Sequence, residues 1–481
     1  MSTEAHVANR LAKAKQKLEN ELSQTIPPPW DHQLKTLELG KQSPLVFDTS
    51  DPGTGKTRGH IDMFMWRVAK GETEKALILC PKTLMAAAWA ADLRKFAPGV
   101  TYSIAYAENR EKAFDVDAQV YILNIDGVKW LAKKTKTWME KKFGKNATLI
   151  IDEITAFKNH NSQRSRAAKK IAKYFKYRAG LTGTPNPNSV TELWHQVLLL
   201  DDGERLGRVY TGFRNATQVP RMEGRFTKWE DKPDANMVVG YMLKDISIRH
   251  QFESVMSVPE NYTRFVDYEM PPKLWKQYEQ LKEQAILELE EGDVTAVNAA
   301  VLANKLLQLT SGAVYGEDGV PRILDDSRYE LVSDLVAERD HSVVFFSWKH
   351  QRDCLVQMAK SRGIEYEVID GTVSNARRNE IVEEYQEGKL QAIYLHPRTG
   401  AHGLTLTRGR ATIWASPRYE ADFLKQGIHR VYRGGQTKKT ENINVRAVGT
   451  METSVYDKQG SKFERMTDLL AILKGNNDKS S

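Results

Sequence analysis

Cysteine is almost absent from this 481-residue chain, and long apolar runs are missing altogether. Cys80 and Cys354 stand far apart with no ligand-spaced neighbours. That excludes a disulfide framework and a cysteine-based zinc site, and it fits a reducing compartment. No apolar stretch approaches the roughly 20 residues needed to cross a bilayer. Residues 1–23 are charged and rich in Ala and Lys, without the apolar segment of a secretory signal. A soluble cytoplasmic protein with no membrane partner is the expectation. Fixed-period repeats are lacking too. The hydrophobic share of 41% and charged share of 27% are those of an ordinary globular protein rather than a fibrous or disordered one.

What is present is a grammar of short apolar runs separated by helical stretches. Leu45-Val46-Phe47, Ala76-Leu77-Ile78-Leu79, Val120-Tyr121-Ile122-Leu123 and Leu149-Ile150-Ile151 read as buried parallel strands. The pattern returns at Ser342-Val343-Val344-Phe345-Phe346, Ala392-Ile393-Tyr394-Leu395 and Ala411-Thr412-Ile413-Trp414. Two α/β units therefore follow one another, as the length allows. Pro27-Pro28-Pro29 stops any preceding helix, so residues 1–26 are expected to be a flexible leader. The first unit is placed at 27–258, with 201–250 as an irregular insertion rich in Gly, Arg and Asp, and the second at 259–450. Residues 451–474, with Val455, Phe463, Met466, Leu469, Leu470 and Leu473, read as a helix bracing the two units, ahead of a disordered tail at 475–481.

The chemistry-bearing residues sit where strands end. After Val46-Phe47-Asp48 comes the turn Gly53-Thr54-Gly55 and then Lys56-Thr57 at the head of a helix. Glycines let backbone N–H groups close on phosphates, Lys56 can reach the β- and γ-phosphates, and Thr57 can hold Mg²⁺. The full eight-residue loop pattern has Gly at position 50, and this chain has Ser50. The strand at 148–151 ends in Asp152-Glu153, an acid pair suited to hold the metal through Asp152 and to polarise water through Glu153. Arg178-Ala179-Gly180-Leu181-Thr182-Gly183-Thr184-Pro185 closes a third strand with small hydroxyl residues able to sense a phosphate. In the second unit, Arg430 and Arg433 lie three apart, on one face if helical, and can reach across a cleft to a transferring phosphoryl group.

In this order the motifs resemble superfamily-two helicases and translocases of the Swi/Snf type, over roughly residues 27–470. Pro81-Lys82-Thr83-Leu84 with Trp89, Asp152-Glu153 with Lys158-Asn159, and Thr182-Gly183-Thr184-Pro185 followed by Glu192-Leu193-Trp194 match the first half of that pattern. The segment 344–348, Asp370-Gly371-Thr372 with Arg377 and Arg378, the segment 398–406 and the block from Gln426 to Gln436 match the second. The resemblance implies two tandem RecA-like parallel-sheet lobes with ATP between them and Arg430 and Arg433 opposite Lys56. It further implies Gln33 as the adenine reader, a nucleotide contact at Gly403, and nucleic-acid contacts at Lys82, Thr184 and Arg398. Two departures stand out: Ile154-Thr155 replaces Ala-His, removing the histidine that couples ATP state to the other lobe, and Thr405 replaces Asn.

Lys plus Arg exceed Asp plus Glu by 70 to 62, giving a net charge of +8 and a pI near 9.1. The excess is local. Residues 129–178 hold fifteen Lys or Arg against Glu140, Asp152 and Glu153, and Arg166, Lys169, Lys170 and Lys173 recur at helical spacing. Such a stripe can track a phosphate backbone, and aromatics are not interleaved with it as single-strand stacking platforms require. The expected activity is an ATPase motor translocating on double-stranded or branched DNA. A strand-separating DNA or RNA helicase and a non-catalytic nucleic-acid-binding adaptor are the alternatives. No protein partner is indicated, and a monomer is the default expectation.

Overall fold

The computed structural model describes residues 26–223, 226–290, 296–316, 318–400, 404–418 and 421–458. The expected leader, most of the brace helix, the polar tail and Gly403 therefore lie outside the described residues. Among the described residues no helix is long and apolar enough to cross a membrane.

The first lobe is built on seven strands: β1 (Leu45–Asp48), β2 (Ala76–Cys80), β3 (Tyr102–Ala105), β4 (Val120–Asn124), β5 (Thr148–Asp152), β6 (Tyr177–Leu181) and β9 (Ser247–Ile248). All pair in parallel, in the order β3-β4-β2-β5-β6-β1-β9. Alternation along each strand supplies two cores. Phe47, Leu77, Leu79, Tyr121, Leu123, Leu149 and Ile151 face one layer of helices. Val46, Ile78, Cys80, Val120, Ile122 and Ile150 face the other. Because both faces are covered, the strands read as continuous apolar runs.

Apart from a separate antiparallel pair, β11 (Ala313–Tyr315) and β12 (Pro321–Ile323), the second lobe repeats the plan with β10 (Asn261–Tyr268), β13 (Ser342–Phe345), β14 (Tyr366–Ile369), β15 (Ala392–Leu395), β16 (Ala411–Trp414) and β17 (Thr440–Ala447). Their order is β10-β17-β16-β13-β15-β14, again all parallel. Two tandem RecA-like lobes thus follow each other, and the chain passes from the first sheet to the second between Ile248 and Asn261.

Residues 201–250 are not irregular, which corrects the reading from composition. They form helices Tyr210–Thr217 and Ala235–Met242, the antiparallel hairpin β7 (Gln218–Glu223) and β8 (Phe226–Asp231), and edge strand β9. Phe213, Ala235, Val239, Leu243 and Ile246 anchor this segment in the first core. A few anchors at helical spacing suffice, and the Gly, Arg and Asp between them are solvated faces and turns. Residues 451–458 are helical and pack on the second lobe.

Candidate active site between the lobes

The strand order sets β5, β6 and β1 side by side, so the loops leaving their carboxyl ends emerge together, where open α/β sheets bind ligands. The loop after β1 turns at Gly53 (φ 85°) and Gly55 (φ 72°), left-handed conformations open to glycine. A Cβ on Gly53 would lie 3.0 Å from the Phe252 ring and 3.5 Å from Cβ of Arg433, so the backbone forms one wall of a narrow gap between lobes. Lys56 starts helix Lys56–Ala69, with Thr57 in its first turn. Lys56 Nζ donates to the carbonyls of Ser50 and Asp51 at 2.7 and 3.0 Å. Gln33 donates to the carbonyl of Gly55 at 3.0 Å and accepts from the backbone N–H of Trp30 at 2.9 Å, so its amide braces the phosphate loop.

Ser50 has a structural reason to depart from glycine. Its hydroxyl accepts from the N–H of His250 at 3.0 Å and so fastens the chain beyond β9 to the loop. Below it, Asp48 pairs with His60 at 3.1 Å. Burial alone would raise the Asp48 carboxyl, but the His60 hydrogen bond and the charges of His60 and Lys56 outweigh it and hold the group well below the usual range.

Asp152 ends β5, and its Oδ2 accepts from the indole N–H of Trp89 at 2.8 Å, while Oδ1 accepts from the N–H of Glu153 at 3.0 Å. Trp89 is fully buried and sits in a π-helical turn, Met85–Ala90, a geometry often found at functional sites. Glu153 itself has φ 55°, a rarely adopted conformation for a side chain with a Cβ. Burial, reinforced by Asp152, pushes Glu153 up to about 8, and burial raises Asp152 as well. Two adjacent, half-buried carboxylates at a strand end are a donor set that fits a divalent cation.

The second lobe answers with helix Ala421–Val431. Arg430 donates to the carbonyls of Gln426 and Leu404 at 2.9 and 3.2 Å, and Arg433 donates to Leu404 at 2.9 Å. Burial and the neighbouring Arg433 push Arg430 down to about 9. Two adjacent guanidiniums with backbone partners, facing the phosphate loop, fit a polyphosphate. Gln426 crosses the cleft to Glu153 Oε1 at 3.3 Å. Lys425 crosses it to Asp51 Oδ1 at 2.7 Å, a contact that no sequence motif signalled. Phe252 packs at 4.9 Å on both His429 and Tyr432.

A family described as "SNF2-related domain" matches residues 36–311, more than half of the chain, and one described as "Helicase conserved C-terminal domain" matches 327–435. The chain belongs to the SNF2-related family. It is an ATP-binding, ATP-hydrolysing enzyme of that family's two-lobed architecture. Protein p41 of Acyrthosiphon pisum secondary endosymbiont phage 1 is 27% identical over 447 residues, spanning 88% of this chain and 93% of p41. An uncharacterized ATP-dependent helicase of Mycoplasma pneumoniae is 23% identical over 445 residues, 91% of this chain but 41% of the helicase. The chain thus spans less than half the length of that larger relative. The Sulfolobus solfataricus SWI2/SNF2 ATPase core solved in complex with dsDNA is 19% identical, covering 93% of this chain and 97% of that one, with a TM-score of 0.42.

In this SNF2-related chain the residues expected to meet nucleic acid fall into three groups. Lys82 and Arg398 are exposed just past the carboxyl ends of β2 and β15, central strands of the two sheets. Arg166, Lys169, Lys170 and Lys173 are exposed on and just beyond helix Gln163–Ala172, though Lys170 Nζ also donates to the carbonyl of Ala132 at 2.6 Å. Thr184 is 1% exposed, with its hydroxyl enclosed in the first lobe. Hydroxyl-bearing strand ends look alike in sequence whether they face a groove or the interior.

Proposed function

We propose that this protein is a DNA-dependent ATPase motor that translocates on double-stranded DNA, remodelling DNA structures or the proteins bound to them. The observation that supports it most is the convergence of Lys56, the Asp152–Glu153 pair and the Arg430–Arg433 pair on one gap between two lobes. A site split between lobes makes closure and hydrolysis one event, which is what stepping requires.

In this reading Lys56 leaves its carbonyl partners for the β- and γ-phosphates of ATP. Thr57 and Asp152 would hold Mg²⁺, with the Trp89 indole fixing the Asp152 carboxylate. When bound, the ion neutralises phosphate charge and lowers the barrier to phosphoryl transfer. Glu153 orients and polarises the attacking water, and Gln426 reports its position to the second lobe. Arg430 and Arg433 stabilise charge on the transferring group. Exposed Lys82, Arg398 and the stripe from Arg166 to Lys173 supply phosphate-backbone contacts, so binding weakens steeply with salt. Near-complete reciprocal coverage with p41 supports a small phage-type member of the family.

The test is ATP turnover with duplex, branched and single-stranded DNA and with RNA. Duplex or branched DNA is expected to raise turnover sharply above the basal rate. If all four leave it unchanged, the motor reading is wrong. Unwinding of a partial duplex would instead identify a strand-separating helicase.

A further inference from the structure

The histidine that couples ATP state to the second lobe in this branch is replaced here by Thr155. Ile154 beside it turns inward, where a Cβ on Gly180 would meet its side chain at 2.5 Å. Among the described residues no hydrogen bond runs from the Thr155 side chain to the second lobe. The Gln426–Glu153 hydrogen bond links the acid pair to the second lobe, and the phosphate loop has a link of its own.

The peptide at residues 50–51 supplies it. Its two carbonyls hold Lys56 Nζ. The Asp51 carboxylate, 6% exposed, accepts from Arg249 of the first lobe at 3.1 Å, from the N–H of Phe252 at 3.0 Å, and from Lys425 of the second lobe at 2.7 Å. One residue thus meets the phosphate-binding lysine through its backbone and the other lobe through its side chain. The Lys425 side chain is 17% exposed. Losing one partner of an ion pair in such a setting leaves a costly charge behind, so the contact resists half-measures.

We infer that Lys425 is the positioning residue that couples the phosphate loop to the second lobe, through Asp51, in place of the absent histidine. When ATP phosphates draw Lys56 off the carbonyls of Ser50 and Asp51, that peptide is freed to move. Its carboxylate moves with it, and Lys425 transmits the change to helix Ala421–Val431, which also bears Gln426 and Arg430. Linkage requires the reverse effect: Lys425 must alter how tightly nucleotide is held. The inference rests on the two-lobed ATPase reading but not on DNA being the partner.

The test uses the full chain with a fluorescent donor on the first lobe and an acceptor on the second, titrated with ATP in the absence of nucleic acid. Wild type is expected to change energy transfer as ATP binds. Lys425→Met should require about five- to tenfold more ATP for half the change, a typical coupling factor, and Lys425→Arg should recover most of it. Asp51→Asn should resemble Lys425→Met, and the double variant should be no worse than either single one. Circular dichroism melts identify any variant that fails to fold, in which case Lys425→Gln takes its place. A Lys425→Met response equal to wild type, or additive losses in the double variant, overturns the inference. A normal ATP-driven change with no DNA stimulation of turnover would instead remove the DNA reading and leave Lys425 in its role.

Discussion

Removing the Glu452 carboxylate should destabilise the second lobe severely, and the structure sets the size of the effect. Arg328 and Glu452 are each 0% exposed. Arg328 Nη1 and Nη2 donate to Glu452 Oε1 and Oε2 at 2.7 and 2.6 Å, and to the carbonyls of Thr310 and Val445 at 3.0 and 3.2 Å. Glu452 also accepts from the Thr310 hydroxyl and the Ala447 N–H, both at 2.7 Å. The pair thereby stitches residues 451–458 to helix Ser327–Ala337, to β17 and to the end of helix Ala296–Thr310. Glu452→Ala leaves a buried guanidinium without its counter-charge and orphans the Ala447 N–H, while the Thr310 hydroxyl keeps the carbonyl of Leu307 at 3.0 Å, a loss of about 3–5 kcal/mol. For a unit of this size that lowers Tm by roughly 6–20 °C. Differential scanning calorimetry of the full chain measures it. Replacing both partners, as Arg328→Met with Glu452→Leu, removes the orphaned charge and should recover most of the loss, since buried pairs exchange for packed apolar groups at little cost. A drop for Glu452→Ala below about 1 kcal/mol, the worth of an exposed pair, would refute the reasoning.

Glu153→Gln should keep ATP binding while abolishing turnover, as filter binding and phosphate release would record; normal turnover would remove Glu153 from the mechanism. The same variant carries a pH signature in nucleotide- and metal-free buffer. The folded carboxyl titrates at about 8 against an ordinary 4.5, so wild-type stability falls as pH rises between those values and the full cost remains above 8. The Tm advantage of Glu153→Gln should therefore grow from pH 5 to 8 and then level; a constant difference would contradict the burial of that charge. Trp89→Phe keeps the ring but loses the indole donor to Asp152, and should weaken Mg²⁺ dependence of turnover by about tenfold, the lower end for a residue orienting a metal ligand. An unchanged Mg²⁺ titration would make Trp89 purely a core residue. Arg433→Ala should cut turnover by about 10³-fold or more if it acts as an arginine finger, with nucleotide affinity changing far less; a loss confined to affinity would assign it to binding alone.

The parts of this site that could be read in sequence share one property: each is a short run of chain at the end of an apolar strand. Leu45-Val46-Phe47 before the glycine turn and Leu149-Ile150-Ile151 before Asp152-Glu153 announce strand, loop and chemistry together, because parallel strands buried on both faces are uniformly apolar. Helices Tyr210–Thr217 and Ala235–Met242 announced themselves poorly, since Phe213, Ala235 and Val239 are buried in the first core and half-buried Tyr210 packs against it, while most of their other residues face outward. For Thr184 the hydroxyl chemistry is visible in sequence while its burial is not.

Lys425 and Asp51 lie 374 residues apart, and no local pattern can relate them. Asp51 reads as part of a turn and Lys425 as an ordinary surface lysine until the lobes meet. The same holds for Trp89 and Asp152, 63 residues apart, where each residue was visible in its own motif but the hydrogen bond between them was not. Motifs specify the reacting groups because phosphoryl transfer dictates residue types at fixed positions along a strand and its loop. Contacts that convert hydrolysis into lobe movement need only be complementary across a gap, so many residue pairs can serve. On the coupling proposed for Lys425, Thr155 in place of the histidine that the motif resemblance implies is tolerable: the chemistry is tied to particular side chains, and the coupling only to a complementary pair across the cleft.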